Sequence, residues 1–184
     1  MIEKQLEKSL ILIDAENVLK SWQTHTSQNK ENNRIDYVKL INKLSENTNL
    51  LRAIFYDGIS EAPSREKKKF LLALSKNGIQ IKTKVIRKRE MTCPHCKSKI
   101  DRFIQKGVDV SLASDIVRHA FQGTCNICIV VSGDEDYKDA IEIAKDKGLK
   151  IWVASFRKSL SMDLEKSADK VVWIDDIYPE IILK

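Results

Sequence analysis

Apolar, β-rich runs alternate along this chain with stretches whose apolar residues recur at helical spacing. Six runs predict strands, and they cover residues 9–14, 50–58, 79–86, 127–133, 149–155 and 170–175. Strands that alternate with helices are typical of βαβ units, in which helices cover both faces of a mostly parallel sheet. The pattern therefore predicts an α/β fold.

The helical stretches between these runs are marked by apolar residues three and four positions apart. Four sets carry this spacing: Tyr37, Leu40, Ile41 and Leu44; Phe70, Leu71 and Leu74; Val108, Leu112, Ile116 and Ala120; and Tyr137, Ala140, Ile141 and Ala144. Two segments interrupt the pattern. Residues 23–34 are polar and predict an exposed loop, whereas residues 87–106 predict an inserted hairpin or knuckle that carries a CPHC motif.

Length and composition are those of one globular domain that spans residues 1–184. Apolar residues make up 42% of the chain and charged residues 32%, which excludes a disordered or fibrous protein. We expect no membrane span, because no apolar run approaches the roughly 20 residues that one requires. The N-terminal stretch contains acids and only a short apolar run, so we expect no signal peptide and a cytoplasmic location. In that compartment cysteines are thiols or metal ligands rather than disulfides.

Aspartates follow three of the predicted strands. Asp14 ends the strand in LILIDAEN, Asp57 ends the strand in FYDG, and Asp134 follows the strand in VVSGDEDY. Ligands of open α/β sheets bind beyond the carboxyl ends of the strands, so these acids are candidates for a binding site. The alternative interpretation is that each caps the helix that follows it.

Asp109 adds a fourth acid from a helix. If residues 108–121 are helical, Asp109 falls in the middle of the apolar face and Asp115 falls at its edge. A carboxylate that faces a core needs a compensating charge. The helix dipole supplies only about 0.3–1 kcal/mol, so we expect a nearby cation. Asp115 is then either a supporting acid or a solvated one.

Asp14, Asp109 and Asp134, with Asp136 close by, are therefore predicted to converge at one edge of the sheet. Clustered carboxylate oxygens without histidine suit a hard divalent ion such as Mg²⁺ or Mn²⁺. Such ions activate water and stabilise displacement at phosphorus. This predicts a metal-dependent reaction on a phosphate ester.

The motifs LILIDAEN, FYDG, KGVDVSLASD and VVSGDEDY occur in this order over about residues 8 to 176. Together they resemble the NYN domain, in particular its LabA-like branch within the PIN-like nucleases. The resemblance implies a PIN-like three-layer α/β/α sandwich with a central, mostly parallel sheet. It also implies a metal-dependent ribonuclease.

Carried over by position, the resemblance makes Asp14, Asp109 and Asp134 the metal-binding acids. Asn17 would position the first acid or a phosphate. Asp136 would be an auxiliary ligand or would order its loop, and Asp115 matches a second acid of the KGVDV-type helix.

Basic residues are concentrated in two stretches of a chain whose net charge is +6. We expect them to form a phosphate-binding surface for RNA with sequence-independent, salt-sensitive contacts. The alternative is a solvated face. The candidates are Arg65, Lys67, Lys68, Lys69, Lys84, Arg87, Lys88 and Arg89.

Two CxxC pairs suggest a structural zinc site, but they differ in context. Cys93 and Cys96 lie in the predicted arm and resemble a metal knuckle, whereas Cys128 lies inside a predicted strand as a small buried hydrophobe. A tetrahedral site needs four ligands. The others could be His95, Cys125 or the same knuckle of a second subunit in a homodimer. Unmetallated thiols are the alternative.

The function that combines these features is a Mg²⁺- or Mn²⁺-dependent ribonuclease that leaves a 5′-phosphate. A non-catalytic module that binds RNA or a protein on the same fold is the first alternative. A phosphatase is the second, because Asp134 and Asp136 form a DxD motif, although DAEN lacks the context of a nucleophilic aspartate.

Overall fold

The structure is a computed structural model that describes residues 5–29, 34–92, 95–96, 98–104 and 107–183, with the backbone alone for 28–29, 87–92 and 100–104. Its strands are β1 (Lys8–Asp14), β2 (Arg34–Ile35), β3 (Asn49–Ile59), β4 (Gln80–Val85), β5 (Arg87–Thr92), β6 (Lys99–Ile104), β7 (Ile127–Val131), β8 (Lys150–Ser155), β9 (Lys170–Trp173) and β10 (Ile182–Leu183). Its helices are α1 (Ala15–Asn29), α2 (Tyr37–Ser45), α3 (Arg65–Lys76), α4 (Val108–Gln122), α5 (Lys138–Asp146), α6 (Met162–Ser167) and α7 (Ile174–Ile177). Single 3₁₀ turns cover Glu135–Tyr137 and Tyr178–Glu180.

Six strands form a central sheet in the order β4-β3-β1-β7-β8-β9, and every neighbouring pair in it is parallel. β1 lies in the middle of this order. The chain builds the sheet from β1 toward β3 and β4, and later returns to the other side of β1 with β7. The order therefore reverses at β1 and β7, and such a reversal opens a crevice at the carboxyl ends of the strands.

Helices cover both faces of the sheet, which confirms the predicted three layers. The alternation of β1 illustrates why: Ile11 and Ile13 pack on the face that α1 and α2 cover, whereas Leu12 packs on the opposite face against α4 and α5. A strand buried on both faces must be apolar at every position. This explains the continuous apolar runs in the sequence.

The predicted loop at residues 23–34 is wrong in its first half, because α1 continues to Asn29. Val18, Trp22 and Thr26 are buried at helical spacing on the inner face of α1. The exposed side of this helix is so polar that its short inner stripe was obscured. The prediction for 170–175 is too long by two residues, since β9 ends at Trp173 and α7 begins at Ile174.

The segment predicted as an inserted arm leaves the central sheet after Val85. β5 and β6 pair with each other as an antiparallel two-stranded sheet, with Arg87 opposite Ile104 and Thr92 opposite Lys99. Cys93 lies outside the described residues. The metal knuckle at Cys93 and Cys96 therefore stays a prediction.

None of the helices in the described ranges is both long enough and apolar enough to cross a membrane.

Leu112 is a test of the core that holds α4 against the sheet. It is fully buried beneath that helix, so Leu112→Ala should lower the free energy of unfolding by about 2–5 kcal/mol in a denaturant titration. Val110 on the same helix is 68% exposed, and Val110→Ala should change it by no more than about 0.5 kcal/mol. Equal losses for the two variants would contradict this packing.

Candidate functional site

Asp14 lies at the carboxyl end of β1, beside the end of β7. Ile13 is opposite Val131 in the β1–β7 pairing, so the next residues on the two strands, Asp14 and Ser132, meet at the same edge. Asp14 is 3% exposed, and its two carboxylate oxygens have separate partners. The backbone N–H of Asn17 donates to Oδ1 at 3.1 Å, and Ser132 Oγ donates to Oδ2 at 3.4 Å. The carboxylate is thereby fixed over the crevice.

Asn17 connects the two loops that follow β1 and β7. Its side-chain Oδ1 accepts a hydrogen bond from the backbone N–H of Gly133 at 3.0 Å. Gly133 fits here because a Cβ atom on it would collide with the backbone of Ser159, whose loop lies directly against it. Asn17 thus ties the loop that carries Asp14 to the loop that carries Asp134.

Asp134 follows this glycine and is half-buried. Its Oδ1 accepts a hydrogen bond from the backbone N–H of Asp136 at 3.2 Å and caps the 3₁₀ turn Glu135–Tyr137. The capping interpretation is therefore correct for one oxygen of Asp134. Asp136 itself is exposed, and its backbone rather than its carboxylate makes this contact.

Asp109 does not face the core as its helical position predicted, because it is exposed. The reason is its place at the very start of α4, in a turn that reaches past the end of the sheet. A side chain on the inner face of that turn meets the crevice rather than packed strands. Asp109 thus reaches the edge where Asp14 lies without a buried cation beside it.

Tyr137 joins these two acids, although its helical spacing predicted only a core residue. Its hydroxyl donates to Asp14 Oδ2 at 2.8 Å and lies 3.5 Å from Asp109 Oδ1. Burial, followed by the charge of Asp14, raises the pKa of the Tyr137 hydroxyl. The hydroxyl therefore stays protonated and remains a donor. In the sequence, the one feature that links Tyr137 to the acids is its position directly after residues 134–136 in DEDY.

Burial and neighbouring negative charges raise the pKa values of Asp14 and Asp109. The largest cause of the raised pKa of Asp14 is desolvation by burial, and the charges of Asp134 and Glu16 raise it further. Desolvation also raises the pKa of Asp109, followed by the charges of Asp14 and Asp134. The three acids are therefore near enough for mutual repulsion. We name Asp14, Asp109 and Asp134 the acid group.

No lysine or arginine of the described ranges forms an ion pair with a member of the acid group. Lys20 lies nearby, but its ammonium pairs with Glu16. The pKa of Lys20 is raised mainly by its hydrogen bond to Glu16 and to a smaller extent by the charges of Asp14 and Asp109. The negative charge of the acid group is thus left for a partner from outside the described chain.

Within the described residues, histidine, cysteine, aspartate and glutamate side chains form no assembled cluster of three or more that could hold a metal ion. The acid group supplies carboxylate oxygens, the donor type that Mg²⁺ and Mn²⁺ prefer. Its donor chemistry therefore fits a hard cation. Tyr137 brings Asp14 and Asp109 together, and the convergence of all three acids on one ion stays a prediction.

Asp115, predicted to lie at the edge of the apolar face, is fully buried instead. It forms ion pairs with Lys82 and Arg118 and accepts a hydrogen bond from the Tyr56 hydroxyl. The solvated interpretation of Asp115 is therefore wrong. Two cations and a hydroxyl compensate the burial of its carboxylate. Its negative charge is therefore already neutralised, unlike that of Asp109.

Asp57 also departs from the acid group. It lies within β3, and its side chain is on the face of the sheet that α1 and α3 cover. There it forms an ion pair with Lys67 of α3. Desolvation raises the pKa of Asp57, while Lys67 acts in the opposite direction. Lys67, predicted to contact RNA, is therefore engaged by a carboxylate.

The other predicted basic residues are described in part. Arg65, Lys68, Lys69 and Lys84 are exposed, the first three in the opening turns of α3. The side chains of Arg87, Lys88 and Arg89 lie outside the described residues, although their backbone forms β5.

The second cysteine pair is separate from the arm. Cys128 is fully buried in β7, as predicted, and half-buried Cys125 packs against the same core. Cys96 is exposed in the arm, where its Sγ lies 2.9 Å from Ser98 Oγ.

Asp109→Asn tests the electrostatics of the acid group. A carboxyl whose pKa is raised by folding gives stability at low pH that is lost as pH rises through the raised value. Without divalent ions, the free energy of unfolding of Asp109→Asn relative to wild type should therefore increase with pH from about 3.9 upward, until the raised pKa is passed. Urea titrations at a series of pH values measure this difference.

Asp169→Asn is the control with the opposite sign. Burial alone would raise the pKa of Asp169, but hydrogen bonds from Ile151 and Lys145 together lower it. The stability that Asp169 contributes is present above its ordinary pKa and is lost as pH falls through the lowered value. Asp169→Asn should therefore become less stable than wild type as pH rises. A flat difference for Asp109→Asn would contradict the mutual repulsion.

One solved structure shares the fold over its whole length. It is a protein of unknown function from Vibrio parahaemolyticus, with a TM-score of 0.69, 22% sequence identity and full coverage of both chains. A mutant of phosphofructokinase-2 from Escherichia coli has 10% identity and a TM-score of 0.38 over 72% of this chain and 43% of its own, which is too low to support an argument. No curated protein matches the chain.

A family model supplies the assignment. The NYN domain model matches residues 8–175, which include β1 with Asp14, the start of α4 with Asp109 and the loop after β7 with Asp134. This chain therefore belongs to the NYN domain family, within the PIN-like nuclease superfamily.

Proposed function

We propose that this protein is a Mg²⁺- or Mn²⁺-dependent ribonuclease that hydrolyses phosphodiester bonds in the crevice between β1 and β7. The observation that carries the proposal is the acid group itself. Asp14 and Asp109 share the Tyr137 hydroxyl, and their pKa values are raised by burial and by the charge of Asp134. A cluster of like charges that lacks a described cation partner is suited to binding a divalent ion.

Each member of the proposed site has its own task. Asp14, Asp109 and Asp134 would hold the ion through carboxylate oxygens. Asn17 would keep Asp14 and the Gly133 loop at a fixed separation through the two hydrogen bonds that it makes. The Asp136 backbone orders Asp134, and its exposed carboxylate is an auxiliary acid.

Tyr137 is a positioning residue in this proposal. Its protonated hydroxyl holds Asp14 Oδ2 and lies beside Asp109, so it limits how far the two carboxylates can move apart. A bound Mg²⁺ or Mn²⁺ would supply the acidity that water needs to attack phosphorus and the charge that stabilises the displacement. The products would be one strand with a 5′-phosphate and another with a 3′-hydroxyl.

RNA is the proposed partner, and exposed cations near the carboxyl edge support it. Arg65, Lys68 and Lys69 open α3, and Lys84 lies near the end of edge strand β4. Contacts from such side chains to phosphates are independent of sequence and weaken with salt. They would hold a strand near the acid group without selecting its bases.

Asp134→Asn is the direct test of catalysis. With Mn²⁺ and a labelled single-stranded RNA, wild type should release 5′-phosphorylated products, and the variant should lose at least about a hundredfold in kcat/KM, as removal of a charge-stabilising group does. Asp146→Asn, an exposed acid at the end of α5, is the matched control and should keep wild-type turnover. Circular dichroism should show all three proteins folded.

Equal turnover by wild type and Asp134→Asn would overturn the proposal. RNA binding that needs no divalent ion, without cleavage of any substrate, would instead favour the alternative of a non-catalytic RNA-binding module on this fold.

Lys68→Ala should weaken RNA binding and lower its dependence on salt, because one phosphate contact is removed. For single strands, the slope of log K against log salt should fall by about 0.7 for each lost contact. Lys166→Ala, an exposed lysine of α6, is the control and should leave both quantities unchanged. Anisotropy titrations at several salt concentrations measure the slope, and identical slopes for wild type and Lys68→Ala would contradict a role for α3.

A further inference from the structure

Besides the crevice of the acid group, the structure has a cavity on the face of the sheet that α1 covers. Its volume is about 650 Å³, and it is lined by residues that follow β1, by the end of β3 and by α1 and α3. Ala15 and Glu16, directly after Asp14, form part of its wall. Cavities of about 300–1,000 Å³ are typical of sites for small organic groups. Size alone thus permits a specific ligand here.

Aromatic rings form one wall of this cavity. Tyr37, Phe55 and Phe70 pack edge to face, with centroids 4.9 Å apart for Tyr37 and Phe55 and 5.9 Å apart for Tyr37 and Phe70. Trp22 of α1 also lines the space. Such a wall favours a flat, apolar-faced ligand, since aromatic rings stack on or pack against planar groups.

A charged pair lies within this aromatic wall. Asp57 is buried, lines the cavity and pairs with Lys67, which also lines it. An ionised carboxylate can accept about four hydrogen bonds, so the Lys67 contact leaves Asp57 with further acceptor capacity. The Lys67 side chain is 35% exposed, so the pair is accessible to a ligand in the cavity. The pair can therefore act as a recognition element.

The charges in the wall indicate which ligand group enters. Two acids, Asp57 and Glu16, and two bases, Lys67 and Arg34, line the cavity, so its charges balance and favour a neutral ligand over a phosphate. A neutral planar group whose edge carries N–H donors and carbonyl acceptors matches a carboxylate and an ammonium side by side. Nucleobases have this edge and an aromatic face.

The cavity and the acid group are adjacent, because Ala15 and Glu16 directly follow Asp14 in the chain and line the cavity. Glu16 lines the cavity, and its charge raises the pKa of Asp57 as well as those of Asp14 and Asp109. Tyr37 lies in the cavity wall, and after burial the charges of Asp57 and Asp14 both raise its pKa. One nucleotide could therefore reach from one site to the other.

We propose that this cavity binds one unpaired base of the RNA strand whose scissile phosphate lies at the acid group. The base packs against the aromatic wall, and its N–H groups donate to Asp57. This inference rests on the proposed ribonuclease function and makes single-stranded or looped RNA the substrate class, because a paired base cannot enter the cavity.

The first experiment removes one base at a time from a short single-stranded RNA. With wild type and Mn²⁺, an abasic nucleotide at one fixed distance from the cleaved bond should lower kcat/KM about tenfold, as loss of a base–aromatic contact does. Abasic nucleotides elsewhere should have little effect. Cleavage that is insensitive to base removal at every position would overturn the cavity proposal and leave the ribonuclease proposal intact.

A steric block provides a matched pair of variants. Leu19 lines the cavity and is 51% exposed, so Leu19→Trp adds a ring there without entering the core. It should lower kcat/KM on intact RNA about tenfold and abolish the difference between intact and abasic RNA. Leu72, 56% exposed on α3 and outside the described cavity wall, is the control, and Leu72→Trp should behave as wild type. Equal effects of the two variants would overturn the proposal.

Binding to the Asp134→Asn protein without divalent ions separates this inference from catalysis. Fluorescence anisotropy should show weaker binding of the RNA that lacks the critical base, and the addition of Leu19→Trp should remove the discrimination. If wild type cleaves no RNA, base-dependent binding still supports the cavity proposal while the ribonuclease proposal fails. Base-independent binding would assign the cavity to another occupant and overturn the proposal.

Discussion

The carboxylates that meet at the carboxyl ends of β1 and β7 are the constraint on which the candidate site depends. Parallel pairing of the two strands brings Asp14 and the loop of Asp134 to one edge, and the first turn of α4 adds Asp109. Burial, followed by the charges of neighbouring acids, raises the pKa values of Asp14 and Asp109. Asn17 and Tyr137 bind across the gap and hold the acids near each other.

Two acids of α4, Asp109 and Asp115, differ in how their negative charge is compensated. Asp115 is buried and is neutralised by Lys82, Arg118 and the Tyr56 hydroxyl. Asp109 is exposed at the crevice and has no described cation partner. The first arrangement stabilises the contact between α4 and the edge of the sheet. The second leaves negative charge unneutralised at the crevice, which is what the proposed metal site requires.

Much of the fold could be predicted because a strand buried on both faces is apolar throughout and a covering helix carries one apolar stripe. β1, β7 and α4 were predicted within one or two residues for this reason. α1 was cut short because its inner stripe is narrow and its outer face is very polar. Asp109 and Asp115 were assigned the wrong burial, since periodicity gives the face of a helix but not where the sheet beneath it ends.

The sequence by itself determined the α/β class, the acids at strand ends and the family motifs, because each depends on residues that are neighbours along the chain. The tertiary structure alone decided the positions of Tyr137, of the Asp57–Lys67 pair and of the cavity that this pair lines. These features depend on which strand lies next to which and on where helices cross the sheet edge. Contacts between residues far apart in sequence have no period, so only the folded chain reveals them.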